Sequence, residues 1–280
     1  MEPITDIEVS IIIPNLNSPI VENTVQSIIE QCFTIKYEII VVGLDQNRRL
    51  DQFIGRIKII DTYTPVPPGI ARNIGVNYSS GSVLIFIDSD AIAQKGFVKK
   101  HYSLHKASDK LLIGGSVTFP KDRYLTLCDN IATFHEYMEH CPGSYKRMVP
   151  TVNMSISRRE FLILNSFIDS PAGEDADFSY RARKNDIKVL FAPDIKITHL
   201  PPRVKFLDVI KHSYKLGSNS RILIEILNNK SPIPFASFSK LLLLIFSPLI
   251  ALLILIKIVI IENLPVEYWH TLPTIYFLKV

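Results

Sequence analysis

The sequence is poor in cysteine and glycine, and its N-terminal end is empty of positive charge. Three cysteines occur in 280 residues, Cys32, Cys128 and Cys141. They are odd in number, widely spaced and form no C-x-x-C pair, which argues against a disulfide framework or a thiolate zinc site and suits a reducing compartment. Eleven glycines and no internal repeat leave no basis for a fibrous or low-complexity chain. No lysine or arginine precedes Lys36, while Glu2, Asp6 and Glu8 do. A secretory signal starts with positive charge, so none is expected, and the N-terminal domain is expected on the cytoplasmic side. Also missing is any basic run interleaved with stacking aromatics, so nucleic acid is not an expected partner.

What is abundant is apolar. Hydrophobic residues make up 47% and charged residues 21%, with a mean hydropathy of +0.20. So much apolar matter cannot remain solvated, which excludes disorder. The excess has two homes. One is a run from Leu241 to Ile261, broken only by Ser247, Pro248 and Lys257. As a helix it would rise roughly 31 Å, about the thickness of a bilayer's hydrocarbon core. A C-terminal membrane helix is therefore expected, kinked at Pro248, with Lys257 snorkelling from one end. Between Arg203 and Lys230 six basic residues outnumber Asp208 and Glu225, a juxtamembrane collar that anionic lipid attracts. The expected organisation is a main domain over 1–202, a basic helical segment over 203–239 and a hydrophobic tail over 240–280, with membrane lipid as a partner.

The other home is a set of short β-branched runs. Val9 to Ile13, Glu38 to Val42, Ile57 to Ile60 and Val83 to Ile87 read as buried strands separated by helices. Ser18 is a plausible cap for the first helix, and Ile70 to Tyr78 forms another. Further strands are expected at Leu111–Val117, Val189–Phe191 and Ile195–Thr198, and helices at Phe97–Ala107, Tyr124–Glu139, Ser157–Leu164 and Glu174–Lys184. This alternation implies parallel pairing and an α/β layer sandwich. Ligands of such sheets bind beyond the carboxyl ends of the strands.

Polar groups gather at those ends. Ile85 to Asp90 is a buried strand terminating in two carboxylates one residue apart, Asp88 and Asp90, which suit Mg²⁺ or Mn²⁺. Gly69 to Gly75 starts a helix with Arg72 beside it, and both features favour phosphate. Glu174, Asp175 and Asp177 crowd the first turn of a later helix, where dipole compensation alone would also explain them. His199 closes a strand before Pro201-Pro202 and could ligate metal or cap the sheet.

Together VSIIIPNLN (Val9–Asn17), EIIVV (Glu38–Val42), GIARNIG (Gly69–Gly75), GSVLIFIDSDA (Gly81–Ala91), NMSISRREF (Asn153–Phe161) and GEDADFSYRARKNDIKV (Gly173–Val189) follow one another in an order that resembles the family 2 glycosyltransferases of GT-A fold. The resemblance implies a mixed, mostly parallel sheet flanked by helices, and an inverting, metal-dependent sugar transfer from a nucleotide donor, expected to be UDP-linked, to a hydroxyl of a glycan or lipid-linked acceptor. Asp88 and Asp90 would hold the divalent metal and donor, and His199 would be an added metal or diphosphate contact. Asp175 would be the catalytic base, with Glu174 orienting the acceptor or the helix start. Arg72 would sit near the diphosphate, and Pro14 and Asn17 near the base and ribose. One position departs: where the family commonly has an acid after the EIIVV strand, this chain has Gly43. Either Asp45 takes over that contact, or the base is read differently. A sugar nucleotidyltransferase fits less well, because Pro14 to Asn17 carries no glycine and no basic residue. A binding module without catalysis has only Gly43 in its favour.

Overall fold

The computed structural model describes residues 7–31, 34–171, 173–226 and 240–280, with side chains for all of these except 218–226 and 240–244. In chain order the elements are β1 (Val9–Leu16), α1 (Val21–Ile29), β2 (Tyr37–Leu44), β3 (Lys58–Asp61), α2 (Pro68–Asn77), β4 (Val83–Ile87), β5 (Ala91–Ala93), α3 (Phe97–Ala107), β6 (Leu111–Thr118) and α4 (Tyr124–Phe134). Then follow β7 (Ser144–Tyr145), β8 (Asn153–Ser157), α5 (Arg158–Ile163), α6 (Glu174–Lys184), β9 (Lys188–His199), α7 (Phe206–Ile226), α8 (Lys240–Ile256) and α9 (Leu272–Lys279). They fall into two compact units: residues up to 118 with 142–202, and residues 119–141 with 203–280.

The first unit is built on one sheet in the order β3-β2-β1-β4-β8-β6-β9-β5, with β7 paired to β9. Its centre follows from sequence: β1 and β4 are apolar on both faces and both are buried throughout their central residues, as parallel strands between helix layers must be. Helix α2 lies so close to β1 that a Cβ on Gly75 would meet Ile12 Cγ2 at 2.5 Å. The sheet is less parallel than expected. β1 pairs in parallel with β2 and β4, β2 with β3, and β6 with β9. Beyond β4 the direction reverses, because β8 runs against both β4 and β6.

Ser18 does not cap α1, whose N-cap is Ile20 without a side-chain bond. Instead Ser18 Oγ donates to Ser89 O at 2.9 Å, and Thr24 Oγ1 on α1 donates to the same oxygen at 3.0 Å. The two strands expected at 189–191 and 195–198 are one, β9, with a register shift opposite Gly115 and Ser116 absorbing the intervening residues. Asn153 clamps that irregularity, donating from Nδ2 to Ser116 O and to Ile195 O, both at 3.0 Å. Its Oδ1 faces His101 Nε2 at 3.0 Å. Burial pushes His101 down to about 3, so the ring stays neutral.

The second unit is helical among the described residues. α9 packs against α4, α7 and α8. Asp129 on α4 accepts from Arg203 Nε at 2.9 Å and pairs with His212 Nδ1 at 2.8 Å. Burial opposes ionisation of Asp129, but His212 and Arg203 outweigh it and hold its carboxyl below the usual range. The continuous membrane helix expected over 241–261 is not formed. Helix α8 has 17 residues and passes at Lys257 into a π-type turn, Lys257–Ile261. Seventeen residues rise about 26 Å, short of a bilayer core, and among the described residues no helix is long and apolar enough to cross a membrane. The reason lies at Lys257. Its ammonium does not snorkel but pairs with Glu136 and with Glu262, the latter at 3.3 Å. Part of the expected basic segment, residues 227–239, lies outside the described residues.

Candidate active site

The site is assembled at the carboxyl ends of the central strands, within the first unit. β4 ends at Ile87 and delivers Asp88, Ser89 and Asp90 before β5 begins at Ala91. The two bonds to Ser89 O, from Ser18 in the β1–α1 loop and from Thr24 on α1, fix this short loop. β5 pairs antiparallel with the end of β9, Ala91 facing His199. That pairing brings His199 Nε2 to 3.4 Å from Asp90 Oδ1, and Leu200 N donates to Asp90 O at 2.8 Å. A carboxylate and an imidazole adjacent at a strand end are a donor set that suits a divalent cation, with other positions left for phosphate oxygens.

Arg72 ties this end of the site to the acidic start of α6. Its side chain is buried, only 2% exposed, beneath the rim. Nη2 donates to Asp88 Oδ1 at 2.7 Å and Nη1 donates to Glu174 Oε1 at 2.8 Å, a forked geometry that lysine cannot copy. Phe167 packs under the guanidinium at 5.9 Å. The Asn73 side chain braces Phe167, exchanging two backbone bonds of 2.8 and 2.9 Å with it. Burial disfavours the Arg72 charge, yet Asp88 and Glu174 outweigh it and leave its pKa above the ordinary arginine value. Burial raises the Asp88 carboxyl, Arg72 opposes that rise, and the charge of Asp90 adds to it; the balance is upward.

Asp175 is a second carboxyl raised at this site. Gly173, with φ +80°, precedes α6 and lets the chain turn into it. Glu174 and Asp175 follow directly. Burial first, and then the charge of Glu174, push Asp175 up to about 7 against the Ala176 N–H and Arg72, which lower it. Ala176 N donates to Asp175 Oδ1 at 2.8 Å. A carboxylate poised near neutrality is suited to take a proton from a hydroxyl.

The expected nucleotide-side residues are less concentrated. Pro14 is buried in β1, opposite Val42. Asn17, with φ +55°, exchanges bonds of 3.1 and 2.8 Å with Gln46. Asp45 Oδ2 accepts from Leu50 N at 2.8 Å, so both shape the loops after β1 and β2. At Gly43, φ is +133° and a Cβ would stand 1.8 Å from Asn15 O. No acid, nor any other side chain, fits there without moving β1. Sequence reasoning missed three supports: the Ser18 and Thr24 bonds to Ser89, the bracing by Asn73, and the packing of Phe167. Only Asn73, inside GIARNIG, carried a signal.

A further cluster of ligating side chains lies in the second unit, where His135, Glu136 and Glu262 offer atoms within 4.8 Å of one another. His135 Nδ1 pairs with Glu262 Oε2, and Lys257 already supplies the cation to both glutamates.

Comparison with known proteins decides the family. The model of glycosyl transferase family 2 matches residues 10–159, over half of the chain. This chain belongs to that family. The match takes in β1 through β8, and so includes Arg72, Asp88 and Asp90. Among curated members, the glycosyltransferase AglE of Haloferax volcanii is 23% identical over 219 residues, 75% of this chain and 71% of that protein. The glycosyltransferase YfnE of Bacillus subtilis is 30% identical over 203 residues, 69% of this chain and 50% of that one. The chain thus spans about half the length of YfnE. A solved mannosyltransferase from Pyrobaculum calidifontis, in complex with GDP-Man and Mn²⁺, superposes with a TM-score of 0.59 at 14% identity, over 97% of this chain and 73% of that one. That likeness shows the fold, a GT-A-like mixed α/β sheet with flanking helices.

Proposed function

We propose that this member of glycosyl transferase family 2 is an inverting transferase that moves a sugar from a nucleoside-diphosphate donor to a hydroxyl of a glycan or lipid-linked acceptor, using a divalent cation. The observation that carries the reading is the pair of hydrogen bonds that Arg72 donates to Asp88 and Glu174, because it holds the D-x-D loop and the acidic start of α6 around one buried cation. Asp90 and His199 would hold the metal, which neutralises charge growing on the leaving diphosphate. The Mn²⁺ in the Pyrobaculum calidifontis complex favours that ion.

The chain's own residues do the rest. Asp175 takes the proton from the acceptor hydroxyl. The freed oxygen lone pair forms the bond to the anomeric carbon from the face opposite the diphosphate, and the bond to the diphosphate oxygen breaks with its electron pair. Configuration at that carbon inverts. Glu174, fixed by Arg72, keeps a negative neighbour beside Asp175 and so keeps it basic. Arg72 holds Asp88 in place on the donor side. A UDP-linked donor is the reading for the nucleotide, with Asp61, the β3 partner of Gly43, and Asp45, two residues after it, as the candidate acids for the base.

The test is to incubate the full chain with Mn²⁺ and a panel of UDP-, GDP- and dTDP-sugars and to follow release of nucleoside diphosphate. One donor class should be hydrolysed slowly without acceptor, and Asp90→Asn should remove that turnover while leaving the melting temperature intact. No turnover with any donor, or normal turnover in the Asp90→Asn chain, would overturn the assignment.

A further inference from the structure

The hydrophobic C-terminal run is absorbed neither by the site nor by a transmembrane helix. On α8 and the turn that follows it, Ile245, Leu249, Leu252, Leu253, Ile256 and Ile260 are each 44–72% exposed. Their spacing is i, i+4, i+7, i+8, i+11 and i+15, which is one face of a helix. The opposite side holds Ala251 and Ile258, both fully buried in the second unit. The outward face is therefore apolar from end to end, over roughly 22 Å. A patch of that kind on a folded chain marks a surface for a partner rather than for water.

A second face of the same unit says what the partner is. On α7, Leu207, Lys211, Tyr214 and Lys215 also share one side, at i, i+4, i+7 and i+8, and all are exposed, Tyr214 by 78%. Phe206 at the start of α7 stacks on Phe277 of α9 with centroids 6.1 Å apart, and both rings remain about half exposed. Trp269 is 46% exposed while its indole N–H donates to Leu264 O at 3.1 Å. Lysines that share a helix face with Leu207 and Tyr214, with an aliphatic ridge on the next helix of the chain, fit the boundary between anionic headgroups and acyl chains. A folded protein partner would need matching acids for Lys211 and Lys215 and a groove for the ridge; a bilayer surface supplies both at once.

We propose that the second unit docks this enzyme onto an anionic membrane surface, with α8 lying in the plane of the interface rather than crossing it. The outward ridge enters the acyl boundary, and Lys211 and Lys215 rest among lipid phosphates. This does not depend on the transfer chemistry, because vesicle binding can be read without a donor.

The full chain should float with vesicles containing phosphatidylglycerol, bind weakly to phosphatidylcholine alone, and be stripped by alkaline carbonate. Lys211→Glu with Lys215→Glu should weaken anionic-vesicle binding about tenfold or more. Leu249→Glu with Leu253→Glu should abolish flotation while melting temperature and donor hydrolysis stay at parental values. If that pair proves unstable, Ile245→Gln with Ile260→Gln serves the same purpose. Three results would each overturn the proposal: no flotation with either vesicle, resistance to carbonate extraction, or a parental dimer that Leu249→Glu with Leu253→Glu converts to monomer without any vesicle binding.

Discussion

Replacing Asp175 by Asn should make the enzyme more stable and leave it inactive. The Asp175 carboxyl is pushed from an ordinary 3.8 to about 7, first by burial and then by the charge of Glu174. Each pH unit of such a gap is 1.36 kcal/mol, so the ionised group costs the fold at most about 4 kcal/mol. The carboxyl keeps some contact with solvent, so about 2 kcal/mol is the measurable part. The sign follows from the direction. The folded chain holds this proton more tightly than the unfolded chain, so the cost is complete above about pH 7, shrinks as pH falls through 7, and vanishes below about 4. Asparagine keeps the Oδ1 that accepts from Ala176 N and carries no charge. In metal-free buffer near pH 8.5 the variant should melt about 4–8 °C above the parent, at ~2–4 °C per kcal/mol, and this margin should close near pH 4. Transfer should fall by about 10³-fold or more, the contribution of a positioned base. A variant that melts with or below the parent at alkaline pH, or that keeps the same advantage at both pH values, refutes the reasoning.

Since only ionised Asp175 accepts a proton, kcat/KM should decline on the acid side of about pH 7, and a flat profile between about pH 5 and 8 would remove it as the base. Arg72→Met leaves Glu174 buried, and the half-buried Asp88 beside it, without their cation and should destabilise the chain by about 3 kcal/mol in urea unfolding, with Arg72→Lys only partly rescuing it. Gly43→Ala forces a side chain into Asn15 O at φ +133° and should reduce stability by at least ~3 kcal/mol, seen as a lower urea midpoint or loss of soluble protein.

The sequence made the centre of the sheet legible because β1, β2 and β4 are β-branched runs buried on both faces, a pattern set locally. It was silent on β5 and β7, of three and two residues, and on β8, Asn153–Ser157. The two short pieces are strands only because distant β9 supplies their partner. β8 was hidden for a similar reason, since its five residues run straight into α5 with no turn signal and are ordered by distant β4 and β6. At the site, residue types and order pointed to Asp88, Asp90, Glu174, Asp175 and His199, and the structure places them on strand ends and a helix start. What spacing could not show is that Arg72 spends its fork on two carboxylates, one of them 102 positions away. Nor could it show that Lys257 answers Glu136, 121 positions earlier, and so ends α8 where an unbroken span was expected. Hydropathy counts a lysine as a penalty and is blind to a partner distant in the chain.

The contact between Gly43 and Asn15 also limits how this enzyme could change its donor. A mutation that placed an acid at position 43 would drive a side chain into the neighbouring strand's backbone at Asn15 O, so an acid cannot be put there without moving β1. Altered nucleotide choice, whether by natural drift or by engineering, has to arise on adjoining ground. Asp61, directly across from Gly43 in β3 and open to solvent, is the position where a library should begin.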